Sequence, residues 1–407
     1  MSTEYRALTA DDYEQAAYLE ATAFYGRSTP ERVEMLRQFF PPEWTVGAFA
    51  DGKLVADVRA IPSARRINGG AIGFAAVGPV ACLPAYRRQG HVGRLLRLAL
   101  ERMREHGQPL SGLYTPHDAL YARYGWERAE DRRHFQFRPK DVRLRLRAEP
   151  GSLEQAGPDD WQRLDAVYRA YAGPRNGPLL RVEPWWREAV LRHWEDSGQR
   201  LPNEAFVWVD GAGRDQGYIV YHAAAMPRDG RFVPWEIQVR DFVSLTGGAY
   251  LGLWEHLLTH DLATRISVEL ARDDPFPNMV DDPWRIGETR AEGAMLRVVD
   301  MERALALRPY SGDGRPVFTM RIADASAPWN EGAWRVEAIE GRMTASRAEG
   351  GADVELTANT LAPIFTGYLR PEIAAGAGLL KVNRAEALAE MADAFAVSHG
   401  PFCNDTY

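Results

Sequence analysis

Apolar and polar positions along the first third of the chain follow two periods. Apolar runs at 44–50 and 54–61 flank Asp51-Gly52, and a second turn is marked by Asn68-Gly69-Gly70 ahead of an apolar run at 71–82. Asp-Gly and Asn-Gly accept the left-handed backbone of tight hairpins, so these runs are predicted to be paired strands. A short strand at 6–8 precedes them, and Thr9 offers a helix N-cap with Asp11 and Asp12 in the first turn of a helix ending near Phe24. At 94–106 the period changes. Val92, Leu96, Ala99 and Met103 share one stripe, and Gly107 stands where a left-handed helix cap is expected. A short strand at 110–114 and a short helix at 118–124, stopped by Gly125, complete an alternation of strand and helix.

Residues 146–160 carry Glu149-Pro150-Gly151-Ser152 and Gly157-Pro158 and are read as a linker. Beyond them, strands at 205–209, 217–223 and 235–245, a helix at 249–260 and a strand at 265–270 repeat the earlier order, and 273–283 is a proline-bearing loop. From Met295 the pattern gives a helix at 300–307, strands at 317–322, 334–338 and 354–357, and a last helix at 385–396 with Leu388, Met391 and Phe395 on its apolar face. The fold class is α/β (α+β), with domains at 1–145, 146–294 and 295–407.

Composition narrows the possibilities. A chain of 407 residues, 45% hydrophobic and 26% charged, suits a multidomain globular protein. The first residues lack a basic start followed by an apolar run, and no uncharged apolar stretch is long enough to span a bilayer. Two cysteines, Cys82 and Cys403, make no disulfide framework and fit a reducing compartment, so the expected location is cytoplasmic. A net charge of −7 argues against nucleic acid and permits cationic substrates.

The chemistry concentrates in Gly78-Pro79-Val80-Ala81-Cys82-Leu83-Pro84-Ala85-Tyr86-Arg87-Arg88-Gln89-Gly90-His91-Val92-Gly93. A strand enters a basic, glycine-bearing turn and a helix leaves it. Helix N-termini offer unpaired N–H groups and a positive dipole end, which suit phosphate. Gly90 and Gly93 allow close backbone approach, and Arg87 and Arg88 can add charge-assisted bonds. Pro79 cannot donate a ladder bond, so a bulge or splay is expected there, opening the strand to an amide-bearing ligand. Taken alone, the stretch also fits a surface Arg-Arg turn after a buried strand. It is neither a Walker loop, lacking Gly-Lys-Ser/Thr, nor a dinucleotide fingerprint.

Val80-x-Cys82-x-Pro84-x-x-Arg87-Arg88-Gln89-Gly90 resembles the acetyl-CoA signature of the GCN5-related N-acetyltransferases (GNATs). The wider chain resembles the Eis ("enhanced intracellular survival") family. Leu120-Tyr121-Ala122-Arg123-Tyr124-Gly125-Trp126 is similar to its Tyr-x-Arg-aromatic-Gly-aromatic element. Met295-Leu296-Arg297-Val298-Val299-Asp300, with Ala304-Leu305 and Arg308-Pro309-Tyr310, is similar to the approach to its third domain, and Tyr407 supplies an aromatic last residue. The resemblance implies tandem GNAT domains followed by a sterol-carrier-protein-like domain, a homohexamer, and acetylation of small-molecule amines, often aminoglycosides at several positions. It assigns acetyl-CoA to Val80, Ala81, Cys82, Arg87, Arg88, Gln89, Gly90, His91, Val92 and Gly93, with Pro116 and His117 lining the pantetheine arm. Tyr121 is then the general acid and the α-carboxylate of Tyr407 the general base. Between Leu245 and Ala249 the second domain has only Thr246-Gly247-Gly248, which implies a fold without a cofactor site.

Phe24, Phe40 and Trp44, from an early aromatic cluster, are candidates to line the amine pocket, as is the acid Asp405. His256 and His260 lie four apart on a predicted helix, a spacing that metal sites use, but no third ligand is evident and no metal is expected. Cys82 reads as a small buried residue, not a nucleophile. Two other functions stay open: acetylation of lysine or peptide amines, and binding of an apolar ligand on a non-catalytic GNAT scaffold.

Overall fold

The computed structural model describes residues 3–196, 199–227 and 233–407. In chain order it begins with β1 (Thr3–Ala7), α1 (Tyr13–Ala23), α2 (Pro30–Phe39), β2 (Val46–Ala50), β3 (Lys53–Ile67), β4 (Gly70–Cys82), α3 (His91–Glu105), β5 (Leu110–Leu113), α4 (Asp118–Ala122) and β6 (Glu127–Arg128). It continues with β7 (Asp131–Phe137), β8 (Gly151–Ala156), α5 (Trp161–Ala172), a hairpin of β9 (His193–Asp196) and β10 (Gln199–Pro202), β11 (Glu204–Asp210), β12 (Asp215–Ala225), β13 (Trp235–Ser244), α6 (Gly247–Leu258), β14 (Ala263–Leu270), α7 (Phe276–Met279) and β15 (Gly287–Glu292). The last segment holds β16 (Met295–Val298), α8 (Met301–Leu307), β17 (Val317–Ala323), β18 (Gly332–Ile339), β19 (Arg342–Arg347), β20 (Val354–Thr357), α9 (Ala358–Phe365), α10 (Pro371–Gly376), β21 (Leu380–Val382) and α11 (Ala385–Ala394).

The chain divides into two compact units. One comprises Met1–Glu130, Ala294–Ser398 and Thr406–Tyr407; the other comprises Asp131–Gly293 and His399–Asp405. In the first unit a sheet runs β1-β2-β3-β4-β5-β16-β6, and a second sheet runs β19-β18-β17-β20-β21. Both predicted hairpins form. Asp51 and Gly52 take φ of 49° and 80°, and Asn68 and Gly69 take 50° and 84°, the paired left-handed values of the turn that matches strand twist. Helix α3 buries Leu95, Leu96, Ala99, Leu100 and Met103 against this sheet and leaves Arg94, Arg97, Glu101 and Arg104 in water. It ends as expected at Gly107: the Gln108 N–H bonds the Met103 carbonyl and the Gly107 N–H bonds the Arg104 carbonyl, with Gly107 at φ 71°.

Three strands depart from the sequence-based expectation. The supposed linker contains β8, an edge strand paired with β11. Most of its side chains are exposed, so it carries almost no apolar signal. β7 pairs between β14 and β15 in the second unit's sheet, ahead of the boundary expected at 145. β16 returns to the first sheet and pairs antiparallel with both β5 and β6.

Within the first unit the C-terminal region is tied to this returning strand. Arg297 on β16 is fully buried and reaches both oxygens of buried Asp324 at 2.7 Å. Asp324 also accepts from the Ala327 N–H and the Asn330 amide. Asn359 donates to the Ala122 carbonyl and Thr366 to the Ala129 carbonyl. Arg308, also buried, donates to the carbonyls of Phe365, Ala394 and Phe395, at the C-terminal ends of α9 and α11, where the helix dipoles are negative.

In the second unit the sheet runs β15-β7-β14-β13-β12-β11-β8. It repeats the first sheet's plan: β13 pairs in parallel with β14 as β4 does with β5.

Removing one partner of a fully buried pair leaves an uncompensated charge, at a cost of about 3–5 kcal/mol. Asp324→Ala should therefore lower the midpoint of urea unfolding, followed by circular dichroism, far more than the joint replacement Arg297→Met/Asp324→Leu.

Candidate active site

The site begins where two strands part. β4 and β5 pair in parallel only at Phe74↔Leu110, Ala75↔Ser111 and Ala76↔Gly112, yet β4 continues to Cys82. On its other side β4 stays paired with β3, apart from a register shift between Val58 and Ala60 opposite Gly78-Pro79. The splay expected from Pro79 is thus present. Val80, Ala81 and Cys82 line its far arm, and Val80 and Cys82 are half-buried. Burial pushes the Cys82 thiol pKa up, against a role as thiolate nucleophile.

The chain then makes one short helical turn at Pro84–Tyr86, passes through Arg88 at φ 62° and Gly90 at φ 84°, and enters α3. No side chain caps this 15-residue helix, and a Cβ on Gly90 would meet nothing within 4 Å. An uncapped helix start facing open space leaves its first N–H groups to an external acceptor, which is what a diphosphate supplies. Arg88 and Gln89 are exposed at this mouth, and Gln89 donates to the Ala85 carbonyl at 3.0 Å. Arg87 turns back instead. Its guanidinium donates to the Cys82 and Ala23 carbonyls, both at 3.3 Å, fixing the loop to the end of α1 and to Phe24 beside it. His91 is buried with its Nδ1 2.8 Å from the Tyr5 hydroxyl, so its ring anchors the helix and only its backbone faces the turn.

The tyrosine motif meets the loop directly. A Cβ on Gly93 would collide with the Tyr124 hydroxyl, so glycine lets the Tyr124 ring lie directly against the start of α3. Pro116 and His117 are exposed between β5 and α4. Tyr121 is 9% exposed, set edge-on to Trp126, and burial raises its pKa from 10.0 to about 12. It is therefore a protonated phenol at neutral pH.

Tyr407 sits at the fork. Its ring contacts Phe74 on β4 and Tyr114 just after β5, at centroid distances of 5.7 and 5.0 Å. A Cβ on Gly78 would stand 3.5 Å from the Tyr407 backbone carbonyl oxygen, so the main chain of residue 407 lies against the splayed strand. Beneath the ring, the Tyr114 hydroxyl donates to Glu130 at 3.2 Å, and Glu130 is ion-paired with Arg65, both fully buried. Sequence reasoning missed this seat. Tyr114 ends a predicted strand on the ligand side, which was a usable signal; the Arg65–Glu130 pairing had none.

Three pocket candidates have other partners. Phe40 is buried in the core, where its carbonyl accepts from Tyr13. Trp44 packs on His106, beyond the C-terminal end of α3 and about 20 Å along the helix from the turn at Gly90. Asp405 is not an exposed tail acid: within the second unit it is buried against Arg181, at 2.9 Å, and the Trp185 indole N–H, at 2.7 Å. Phe24 alone of the four is exposed beside the loop.

Among the described residues of the second unit, the corresponding helix start is closed. There the Thr246 side chain accepts from the Ala249 N–H and caps α6 itself.

Known proteins match this arrangement. Residues 4–129 and 177–298 each match a model of an acetyltransferase (GNAT) domain, and residues 301–404 match a sterol carrier protein domain. An uncharacterized N-acetyltransferase of Streptomyces coelicolor is 27% identical, with 99% of each chain covered. The N-acetyltransferase Eis of Mycobacterium bovis is 23% identical, with 95% of each covered. Among solved structures, Eis1 from Mycobacterium abscessus superposes with a TM-score of 0.83 at 22% identity, covering 100% of both chains. A GCN5-related N-acetyltransferase from Anabaena variabilis reaches 0.88 at 19%, also over 100% of both.

Splayed strand, uncapped helix and matched domains together define an acetyl-CoA-dependent N-acetyltransferase of the GNAT class. Within that class, the chain carries two GNAT domains and a sterol carrier protein domain in series, and over 95% of its length it is similar to the N-acetyltransferase Eis.

The raised Tyr121 pKa gives a direct check. A phenol whose folded pKa exceeds its unfolded one contributes stability that is complete below about pH 10 and is lost as pH rises toward about 12. In a tyrosinate absorbance titration, the difference between native wild type and Tyr121→Phe should rise near pH 12; a rise centred near 10 would contradict the buried phenol.

Proposed function

We propose that this enzyme is a cytoplasmic acetyltransferase acting on the amines of small polycationic molecules, aminoglycoside-like in charge, at more than one position. One observation carries this reading: the main chain of Tyr407 lies beside Gly78, on the arm of the splay where the thioester is expected. A carboxylate there attracts a cationic amine and takes its proton as the C–N bond forms, although the ordinary α-carboxyl pKa of about 3.5 makes it a good base only when desolvated. Exposed Phe24 and Tyr25, beside the loop, offer ring faces to further cationic groups.

Acetyl-CoA, when bound, supplies the activated acetyl group. The N–H groups of residues 88–93 hold its diphosphate, and Pro116 and His117 flank the pantetheine arm. The N–H groups of Val80 and Cys82, which alternate away from β3, hold the arm and polarise the carbonyl as an oxyanion hole does, whereas the Ala81 N–H is turned to Asp57 on β3. Tyr121 gives its proton to the sulfur as the C–S bond breaks. With a pKa near 12 it is a weak acid, but the burial that raises it also destabilises a bare thiolate, so the transfer stays close to balanced. We also read the assembly as a homohexamer, a state that sedimentation of the purified protein measures.

Incubation with acetyl-CoA and separate panels of aminoglycosides, diamines and lysine peptides, following free thiol, tests the substrate class. Aminoglycosides and diamines should release thiol, with more than one acetyl per molecule by mass spectrometry. Release with peptides alone would overturn the assignment, and release with no amine would favour the apolar-ligand reading. One glycine appended after Tyr407 should reduce kcat by about 100-fold or more while acetyl-CoA affinity is unchanged; Tyr121→Phe should reduce kcat by a similar factor.

A further inference from the structure

Away from the acetyl-transfer machinery, two histidines of the second unit aim at one oxygen. His256 lies on α6 and His260 one turn further on, just past its end, so an i, i+4 spacing puts both on the same side. Their Nε2 atoms each stand 3.1 Å from the hydroxyl of Tyr221 on β12. The three ring centroids are 5.1 to 5.8 Å apart.

The tautomer of His260 is set by its surroundings. Its Nδ1 lies 3.2 Å from the His256 carbonyl and 3.1 Å from the Leu257 carbonyl. Carbonyls only accept, so Nδ1 carries the proton and Nε2 keeps its lone pair. A backbone acceptor behind the ring is the outer arrangement that metal-binding histidines use to fix orientation and raise basicity. Phe206 holds the other two rings: it stacks on Tyr221 with planes 12° apart and packs against His256 at 4.7 Å.

The spacing suits coordination. Donor atoms about 2.0–2.1 Å from a tetrahedral zinc stand roughly 3.3 Å from one another, close to the 3.1 Å found between the phenol oxygen and each Nε2. Both histidines are half-buried, so the trio is reachable from solvent. Among the described residues no third His, Cys, Asp or Glu joins them, which makes the phenol the third donor. Glu204, opposite Tyr221 in the β11–β12 register, adds negative charge nearby.

We propose that His256, His260 and Tyr221 form a binding site for one divalent transition-metal cation of the imidazole-seeking class (zinc, nickel or copper, not magnesium or calcium). Binding converts the hydrogen-bonded trio into a clip between α6 and β12. His256 moves its ring proton from Nε2 to Nδ1, and no other proton need leave while Tyr221 coordinates as a neutral phenol.

The test uses full-length, tag-free protein freed of metal with EDTA. Calorimetric titration with zinc chloride should show one equivalent bound, and cobalt(II) should give the visible d–d bands of a four-coordinate site. Loss of outer-shell partners typically weakens metal by about 10–100-fold, so His256→Gln or His260→Gln, each removing a direct ligand, should weaken zinc by about 100-fold or more. Tyr221→Phe keeps the stack and should shift the cobalt bands. The proposal is overturned if wild type takes up no zinc, if zinc binds equally to the His256→Gln/His260→Gln double variant, or if the wild-type cobalt spectrum is that of the hydrated ion. The last two readings need no comparison of enzymatic rates, and the wild-type cobalt spectrum stands even if a variant fails to fold.

Discussion

Everything at the acetyl-transfer site depends on two parallel strands that cease to pair. After Ala76↔Gly112 the β4–β5 ladder ends while β4 runs six residues further, held from behind by β3. An edge of this kind is usually covered or blunted, because unpaired backbone invites any extended chain. Here it is left for one class of occupant. The turn that follows leads into an uncapped helix, with Tyr124 against its Gly93 and Tyr407 against Gly78 and Gly112 at the fork. The charged and aromatic residues nearby act largely by holding backbone still: Arg87 ties the loop to α1, His91 ties the helix to Tyr5, and Arg65–Glu130 supports Tyr114 beneath Tyr407. The site is therefore made of main chain, kept in place by side chains.

The second unit shows what happens when the same plan is kept and the mouth is closed. β13 again parts from β14, after Val239↔Val268. But Thr246 caps α6, and the polar groups near the fork satisfy one another: Arg181 joins Asp241 and Asp405, and Tyr218 donates to Asp241. A buried ionic network of this kind is costly to disturb once formed, because removing one member leaves another buried charge without its partner.

Much of this was readable from residues alone, for local reasons. Asp51-Gly52 and Asn68-Gly69 announce hairpins because few other pairs tolerate two left-handed residues, and α3 declares itself by its stripe and Gly107. Pro79 signalled the splay, and the glycine-bearing turn signalled the uncapped start of α3. What stayed hidden was non-local. β7 and β16 are short strands whose partners lie far away in the chain, and β8 is an exposed edge with little apolar content. Asp405 reads as a candidate pocket acid because nothing near it in sequence reveals its partner Arg181. Tyr221 stands 35 residues before His256, so the third member of the histidine cluster could not be found by spacing.

The returning strand β16 has a consequence in time. The first unit's larger sheet is finished only when Met295–Val298 pairs between β5 and β6. Those four residues are made roughly 170 positions after β6, an interval of about 10–30 s at ordinary ribosomal rates. For that interval β5 presents a bare edge to the cell, and the N-terminal third of the chain is not yet a finished body, however complete its own motifs are.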